Sequence, residues 1–311
     1  MPSLGSHDHP WPQQPERRRE DLSEVSSGGV SSQGSSAEED ARPFFDLVLA
    51  VFSGADYMSL QKRDALRKVY GRYNGWASVP VGDVVYKYSI KVLYVVNDLD
   101  APDDGTLDGD VLFVRCPTGY RYIVEKTKRM VSVTRHLHFR YLLKGDDDTF
   151  VCFDRVARFL HGLPEDVKPR VYAGIPTACG LDRHPMVGRV IKDPGHKWFD
   201  GKYVNHTLAG LDCYPIYMQG ALYVLSYGLV DFLQRGQRHL LTFTNEDVTM
   251  GTWLLGVDRT VVPLNALHFA RLWDCTCSRK NFRAGGDVNA FYHNCKQVRT
   301  GLESCRERRK R

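Results

Sequence analysis

The chain contains 311 residues, 42% of them hydrophobic, and carries a formal net charge of +5. This composition supports one sizeable hydrophobic core and argues against a nucleic-acid-binding protein, because much of the charge falls in the terminal run 306–311, which we interpret as a solvated tail. No stretch approaches the roughly 20 apolar residues of a membrane-spanning helix, and the N-terminus lacks a signal-peptide core, so the chain as written is expected to be soluble.

Residues 1–42 are rich in Ser, Gly, Pro, Gln and charged residues. Such a segment buries too little apolar surface to offset its conformational entropy, so we predict that it is disordered. One folded domain is predicted over residues 43–272. A basic, cysteine-containing tail follows at residues 273–311, and whether it packs on the domain is left open.

The folded part begins with residues 44–52, a short apolar run rich in β-formers that predicts a buried strand. Residues 59–70 carry apolar side chains at helical spacing and predict an amphipathic helix. Two further strands are predicted at residues 90–96 and 110–114. This alternation predicts an α/β fold with a mostly parallel sheet and helices on both faces.

The pattern continues with a predicted helix at residues 125–140, a strand at 141–144 and a helix at 153–160. Residues 175–218 contain glycines, prolines and aromatic residues without a regular period, and we interpret them as loops that shape a pocket. Ligands of parallel α/β sheets bind beyond the carboxyl ends of the strands. The residues that follow position 144 are therefore expected to face a site.

Three consecutive carboxylates, Asp146, Asp147 and Asp148, follow this strand. If strand geometry continues, Asp146 and Asp148 project to one side and Asp147 to the other. Two carboxylates on one side are unfavourable unless a cation lies between them, and hard oxygen ligands suit Mg²⁺ or Mn²⁺. The alternative is a solvated acidic turn. A calcium loop fits less well, because its glycine and distant glutamate are missing.

A second acidic element, Glu246 and Asp247, precedes an apolar run at residues 253–255 that we interpret as part of a helix. These acids either have a function or only cap the helix, a role worth about 0.3–1 kcal/mol. Upstream, residues 214–226 combine an aromatic turn, Gly220 and an apolar run. By themselves they predict a core strand or helix behind a loop.

The cysteines lie at positions 116, 152, 179, 213, 275, 277, 295 and 305. The last four either form disulfides or bind zinc, and the C-x-C spacing favours disulfides because zinc knuckles usually have a spacer of about two to four residues. The sequon at Asn205 is compatible with a secretory lumen.

Several segments match known motifs in register. The basic helix R-R-x-x-I-R-x-x-W is matched by residues 62–70, and of the helix Y-x-N-L-T-x-K-T there remain Tyr122, Lys126 and Thr127. The elements K-x-D-D-D-x-F-V, K-W, Y-P-x-Y-x-x-G and E-D-V-x-x-G are matched by residues 144–151, 197–198, 214–220 and 246–251. Together these segments resemble the β1,3-glycosyltransferase family, which includes β1,3-galactosyltransferases, β1,3-N-acetylglucosaminyltransferases and the Fringe enzymes.

The resemblance implies a GT-A-like, Rossmann-type catalytic domain. It implies inverting transfer of a hexose, galactose before N-acetylglucosamine, from a UDP-sugar to a glycan or glycoconjugate acceptor in β1,3 linkage. Mn²⁺ or Mg²⁺ is expected on Asp146 and Asp148. Asp247 is expected to be the catalytic base, with Glu246 orienting the acceptor or capping the helix.

The resemblance also implies binding residues. Those expected near the metal and nucleotide are Asp146, Asp147, Asp148, Arg63, Arg67 and Lys126, and those expected near the sugars are Lys197, Trp198, Tyr217 and Gly220. Two of these sets have a purely structural alternative. Arg63 and Arg67 are alternatively exposed side chains of an amphipathic helix, and Trp198 and Tyr217 are alternatively core residues.

Two rival functions remain. The first is a two-metal phosphatase or nuclease, for which this sequence offers no clear set of ligands for a second ion. The second is a degenerate transferase that binds glycans or acts as a scaffold, which the intact acidic motifs disfavour. The resemblance, the sequon and the even number of cysteines predict folding in a secretory lumen, with at least one disulfide in the C-terminal cysteine group, and the resemblance implies a location in the Golgi lumen. Membrane association is expected from the family, although no anchor is visible in this chain.

Overall fold

A computed structural model describes residues 43–134, 136–181, 187–206, 211–264, 266–268 and 291–293. The predicted disordered segment 1–42 lies outside these residues, as does the C-terminal cysteine group at 275, 277, 295 and 305. The disorder and the disulfides predicted there therefore remain predictions. Of the predicted tail, only the strand Phe291–His293 is described.

The described strands form two sheets. They are β1 (Phe44–Ser53), β2 (Trp76–Val81), β3 (Val84–Asn97), β4 (Leu107–Asp108), β5 (Val111–Val114), β6 (His138–Asp146), β7 (Phe150–Val151), β8 (Val171–Thr177), β9 (Tyr217–Ser226), β10 (Thr260–Pro263), β11 (Ala266–His268) and β12 (Phe291–His293). Within the described residues, the main sheet has the order β10-β8-β9-β6-β1-β3-β5-β4, with β2 paired to β3, and β11-β12-β7 form a small sheet.

The centre of the main sheet is parallel, because β1 pairs with β3 and β6, and β3 pairs with β5, all in the same direction. Strand β9 is antiparallel to its neighbours β6 and β8, while β8 and β10 are parallel to each other. The predicted α/β fold with a mostly parallel sheet is confirmed.

Helices cover both faces of this sheet. They are α1 (Tyr57–Tyr70), α2 (Ile123–Thr134), α3 (Phe153–His161), α4 (Gly201–His206), α5 (Tyr227–Gly236) and α6 (Glu246–Trp253). Successive residues of β1 point to opposite faces. Residues 47, 49 and 51 pack in a core with α1 and α3, and residues 48, 50 and 52 pack in a second core with α2, α5 and α6. Each fully buried Leu or Val contributes about 1.5–3 kcal/mol.

The predicted boundary between α2 and β6 is wrong. The helix predicted over residues 125–140 ends at Thr134, and β6 begins at His138, three residues before the predicted strand. The hydroxyl of Thr134 donates to the carbonyl of Met130, and the amide of Leu137 donates to the carbonyl of Thr134 in a turn. The chain then pairs with β1 from Phe44 onward, so tertiary pairing overrides the local helical pattern.

The stretch predicted as loops, residues 175–218, is partly regular. Strand β8 continues to Thr177 past an irregularity between Gly174 and Pro176, and α4 lies within the stretch. A disulfide joins Cys179 to Cys213 across it. Glycine and proline led to a loop prediction for a bulged strand. The β2–β3 hairpin was also not predicted.

Among the described residues, no helix combines the length and the apolar character needed to cross a membrane.

Candidate active site

The carboxyl ends of β1 and β6 bring the acidic triplet to one edge of the sheet. Phe52 is in register with Asp146, and the amide of Asp147 donates to the carbonyl of Phe52 at 3.1 Å. Both strands end within one residue of this contact, at Ser53 and Asp146. The predicted position of the triplet at the end of a strand is therefore correct.

The side chain of Asp147 points toward the protein interior. It is 9% exposed, and its carboxylate accepts from the Ser53 hydroxyl at 3.0 Å and from the Lys62 ammonium at 2.7 Å. The buried Arg63 guanidinium donates to the same hydroxyl at 3.0 Å and to the carbonyl of Gly54. The central acid of the triplet thus ties the end of β6 to the loop after β1 and to α1.

A second buried cation supports the same loop. The ammonium of Lys126 donates to the carbonyl of Ser53 at 2.8 Å, and burial lowers the pKa of Lys126 to about 8. Lys126 and Arg63 therefore converge on residues 53–54 at the end of β1. Two cations at the carboxyl end of a parallel strand favour an anionic ligand there.

The structure does not bring Arg67 to this edge. Its guanidinium makes two hydrogen bonds to Asp110, of 2.9 and 2.6 Å, and one of 2.8 Å to Asp64. Asp110 immediately precedes β5, so it lies at the amino end of a strand whose carboxyl end is at Val114. Arg67 lies one helical turn beyond Arg63, and that displacement along α1 separates it from the predicted nucleotide site.

Lys144 joins the two acidic elements. This fully buried ammonium donates to Asp146 Oδ1 at 2.8 Å and to the carbonyl of Gly220 at 2.7 Å, and it lies 3.7 Å from Glu246 Oε2. Burial acts to lower the pKa of Lys144, but the carboxylates of Asp146 and Glu246 outweigh it and raise the pKa. Segments 100 positions apart in the chain thus share one cation.

The two acids at the start of α6 occupy different environments. Both lie in the first turn of the helix, whose N-cap is Asn245, so the prediction that they precede the helix is wrong. Glu246 is 4% exposed, and its Oε1 accepts from the Tyr223 hydroxyl at 2.6 Å and from Thr127 at 3.1 Å. Glu246 therefore faces the core.

Asp247 is only half-buried. Its Oδ1 accepts from the amide of Val248 at 2.9 Å, and its carboxyl lies beside Gly220. Burial, followed by the neighbouring charge of Glu246, raises the pKa of Asp247 to about 6. A carboxylate with this pKa has the properties of a general base at neutral pH.

Gly251 fixes the distance between α6 and β9. A Cβ at this position would lie 2.5 Å from the Cβ of Tyr217 and 2.8 Å from the carbonyl oxygen of Ile216. Only a residue without a side chain lets the helix approach the strand this closely. The E-D-V-x-x-G spacing thus places the acids on one turn and the close contact on the next.

Aromatic side chains flank these acids. The Lys197 ammonium lies 5.7 Å from the ring centroid of Tyr120 and 5.6 Å from that of Trp198, which is 48% exposed. Tyr217 instead packs edge-on against Tyr214 at 6.1 Å, and burial raises its pKa. Trp198 is thus available to a ligand, whereas Tyr217 serves mainly in packing.

Tyr120 was missed by the sequence analysis, which selected Tyr122 for the Y-x-N-L-T-x-K-T helix. Burial raises the pKa of Tyr120, and the charges of Asp247 and Glu246 raise it further, which places its hydroxyl in the field of the acids. Counting back six residues from Lys126 puts the tyrosine of that motif at position 120. The spacing therefore contained the signal.

In the described part of the chain, no group of three or more His, Cys, Asp or Glu side chains is arranged to hold a metal ion. Mg²⁺ and related ions at nucleotide sites need only one or two protein carboxylates, since phosphates supply other ligands. The carboxyl of Asp146 is 34% exposed, and one of its oxygens is bonded to Lys144. As hard oxygen donors at the edge of the site, Asp146 and Asp148 fit such an incomplete set.

Comparison with known proteins adds independent evidence. A family model described as Galactosyltransferase matches residues 61–264. The chain is 26% identical over 252 residues to beta-1,3-galactosyltransferase 6 of Mus musculus, covering 76% of this chain and 68% of that protein. It is 27% identical over 259 residues to UDP-GalNAc:beta-1,3-N-acetylgalactosaminyltransferase 2 of Mus musculus, covering 81% of this chain and 44% of that protein.

A plant protein is also similar. Probable beta-1,3-galactosyltransferase 12 of Arabidopsis thaliana is 34% identical over 119 residues, which cover 38% of this chain and 28% of that protein. The chain thus matches about two thirds of the length of the first relative, and less than half of the length of the other two.

Proposed function

The chain belongs to the galactosyltransferase family, and on this premise we propose that it is an inverting hexosyltransferase. It moves a hexose from a UDP-sugar to a hydroxyl of a glycan or glycoconjugate acceptor and forms a β1,3 linkage. The relatives described above are named for the transfer of galactose or N-acetylgalactosamine in β1,3 linkage, which supports a hexose donor. Galactose is the favoured donor and N-acetylglucosamine the second.

The observation that carries this proposal is the contact of Lys144 with both Asp146 and Glu246. It brings the end of β6, the predicted donor side, against the start of α6, where Asp247 follows Glu246. An inverting transfer needs the donor site and the base Asp247 on opposite sides of one sugar, because the acceptor hydroxyl attacks the anomeric carbon from the face opposite the departing nucleotide. The two must therefore lie close together.

In the proposed mechanism, Asp247 accepts the proton of the acceptor hydroxyl while the oxygen bonds to the anomeric carbon. The bond from that carbon to the UDP oxygen breaks in the same step, and UDP leaves with the electron pair. No covalent sugar–enzyme intermediate forms, so one carboxylate base is sufficient. Lys144 holds Asp146 and Glu246 in place and excludes water from the buried side of the site.

We assign a divalent metal, Mn²⁺ or Mg²⁺, to Asp146 and Asp148. When bound, such an ion neutralises negative charge on the diphosphate. Asp147 is assigned a structural role, since Ser53 and Lys62 already occupy its carboxylate.

The nucleotide is proposed to lie against residues 53–54, which Arg63 and Lys126 hold from behind. Arg67 is left out of this site because it pairs with Asp110, which precedes β5. The sugars are proposed to lie between Trp198, Lys197 and Gly220, with Tyr120 as an added neighbour. Tyr217 acts behind them by packing.

The alternative of a degenerate transferase is not favoured. A chain kept only as a scaffold has no need for a half-buried carboxylate of raised pKa beside a buried ion-pair cluster, an arrangement that costs stability.

The proposal is tested with a panel of UDP-sugars that includes galactose, N-acetylglucosamine and N-acetylgalactosamine, in the presence of Mn²⁺ and of β- and α-linked sugar acceptors. Release of UDP that depends on an acceptor, with a β1,3-linked product, supports it. Absence of transfer from every donor, with folded protein and metal present, would contradict it. Activity retained in chelator would contradict the metal assignment alone.

We also propose that the chain folds in a secretory lumen and acts in the Golgi lumen. The Cys179–Cys213 disulfide supports this compartment, because disulfides form in oxidising compartments. Mass spectrometry of alkylated protein from its native source tests it, and fully reduced cysteines with an unmodified Asn205 would contradict it.

A further inference from the structure

Asp200 is a buried carboxylate that no sequence motif selected. It is 0% exposed and directly precedes α4. Its Oδ1 accepts from the amide of Tyr203 at 3.0 Å. Its Oδ2 accepts from the amides of Thr244 at 2.7 Å and Asn245 at 3.1 Å. One side chain thus holds two segments that are 44 positions apart in the sequence.

Asn245 continues this connection. It is the N-cap residue of α6, and its side-chain amide donates to the carbonyl of Trp198 at 3.0 Å. The loop that presents Trp198 and the helix that carries Asp247 are therefore joined twice, through Asp200 and through Asn245. We call these two residues the 200–245 clamp.

Capping of α4 does not require a charge at position 200. Serine, with one short hydroxyl, caps a helix about as well as aspartate. A fully buried carboxylate is unfavourable unless hydrogen bonds compensate for lost solvation. Here the second oxygen receives two amides from the entry to α6, and hydrogen bonds to a charged acceptor are stronger than neutral ones. The presence of a carboxylate at position 200 is thus explained by its contact with the start of α6, the helix that carries Asp247.

We propose that the 200–245 clamp is a positioning device for sugar transfer. It holds Asp247 at a fixed distance from the exposed Trp198, so that an acceptor sugar against the indole has its hydroxyl within reach of the base. The inference rests on the proposed function, in which Asp247 is that base. Neither clamp residue needs to touch the substrate. Displacing a catalytic group by about 1 Å is enough to lower the rate about 10²-fold, so a residue that only holds Asp247 in place affects transfer.

Two substitutions at one position separate positioning from capping. Asp200→Ser keeps an acceptor for Tyr203 but is too short to reach Thr244 and Asn245. Asp200→Asn keeps the size and offers its one oxygen to those two amides, but its NH2 group then faces the Tyr203 amide, so the cap of α4 is lost. We expect kcat to fall about 10–100-fold in the serine variant and less in the asparagine variant, with the KM for the UDP-sugar unchanged in both.

The matched control is Asp212→Asn, which removes an exposed charge paired with Lys192 in the same loop region. It should retain the kinetics of the wild type. If Asp200→Ser retains the wild-type kcat, or if kcat falls only in proportion to the unfolded fraction, the positioning role is contradicted.

Hydrogen exchange gives a readout that does not depend on activity. Peptides covering residues 241–250 should exchange faster in Asp200→Ser than in the wild type. They should exchange faster still in the double variant that combines Asp200→Ser with Asn245→Ala. Unchanged exchange would overturn the clamp itself. If the wild type transfers no sugar while the exchange result holds, the proposed function fails and the clamp remains as a structural link.

Discussion

Glu246 and Asp247 show how neighbouring acids acquire different roles. Successive residues of an α-helix point about 100° apart, so both cannot face the same ligand. Glu246 turns inward to Tyr223, Thr127 and Lys144. Asp247 stays half-buried, with a raised pKa and one oxygen bonded to the next amide. Of the two, only Asp247 is partly exposed, as the proposed base must be.

Replacing the base should separate chemistry from donor binding. Asp247→Asn keeps the shape but removes the proton acceptor, so kcat should fall about 10²–10⁴-fold with the KM for the donor nearly unchanged. Glu246→Gln leaves a weaker acceptor for Tyr223 and should mainly lower thermal stability. Steady-state kinetics and a melting curve of each variant measure this, and the opposite pattern would reverse the two roles.

The pKa of Asp247 sets an expected pH dependence. A base must be ionised, and the pKa is raised to about 6. Plotted against pH, kcat/KM should be level above this value and fall about tenfold per unit below it. Stability should follow the opposite trend: the folded pKa lies above the ordinary value of 3.8, so the contribution of this group decreases as pH rises from about 4 to 6. An acid limb near pH 4 would contradict the assignment.

At the scale of elements, the start of α6 was predicted too late, although asparagine is among the residue types most favoured at an N-cap. The backbone of Asn245 is extended, so the helix starts at the next residue and places both acids in the first turn, where the helix dipole favours negative charge. The position of the helix against β9 depends on Gly251, a contact visible only once the two elements are paired.

Adding one methyl group should displace this helix. Gly251→Ala places a Cβ 2.5 Å from the Cβ of Tyr217, so unfolding free energy should fall by about 1–3 kcal/mol, and kcat should fall as Asp247 shifts. The control is Gly236→Ala at the end of α5, where a Cβ meets nothing within 4 Å. Denaturant unfolding of both variants measures the difference, and equal stability would contradict the close-contact argument.

At the scale of the whole molecule, the parallel centre was predictable because residues 47–52 of β1 are all apolar and the neighbouring strands alternate with helices. The insertion of antiparallel β9 between β6 and β8 was not, since it depends on pairing between distant segments. The same limit applies to the site. The motifs indicated Asp146 and the pair Glu246 and Asp247 separately, but the connection of Asp146 to Glu246 through Lys144 exists only when β6 pairs with β9.

The disulfide should stabilise the region that carries Trp198. Cys179 and Cys213 are separated by 34 positions. A disulfide that closes a loop of this size restricts the unfolded chain and thereby raises the free energy of unfolding by about 2–4 kcal/mol. Cys213→Ser should lower the free energy of unfolding by this amount and raise the KM for the acceptor more than that for the donor. Calorimetry and kinetics measure both effects, and unchanged stability would show that the bridge contributes little.

The anomeric configuration of the transferred sugar tests the central claim most directly. An α-linked UDP-hexose incubated with an acceptor and Mn²⁺ should give a β-linked product by nuclear magnetic resonance, with little or no product from Asp247→Asn. Inversion follows from a single displacement in which Asp247 takes the proton on the face opposite UDP. An α-linked product would contradict the account, because retention requires a chemistry in which Asp247 is not the base of a direct attack.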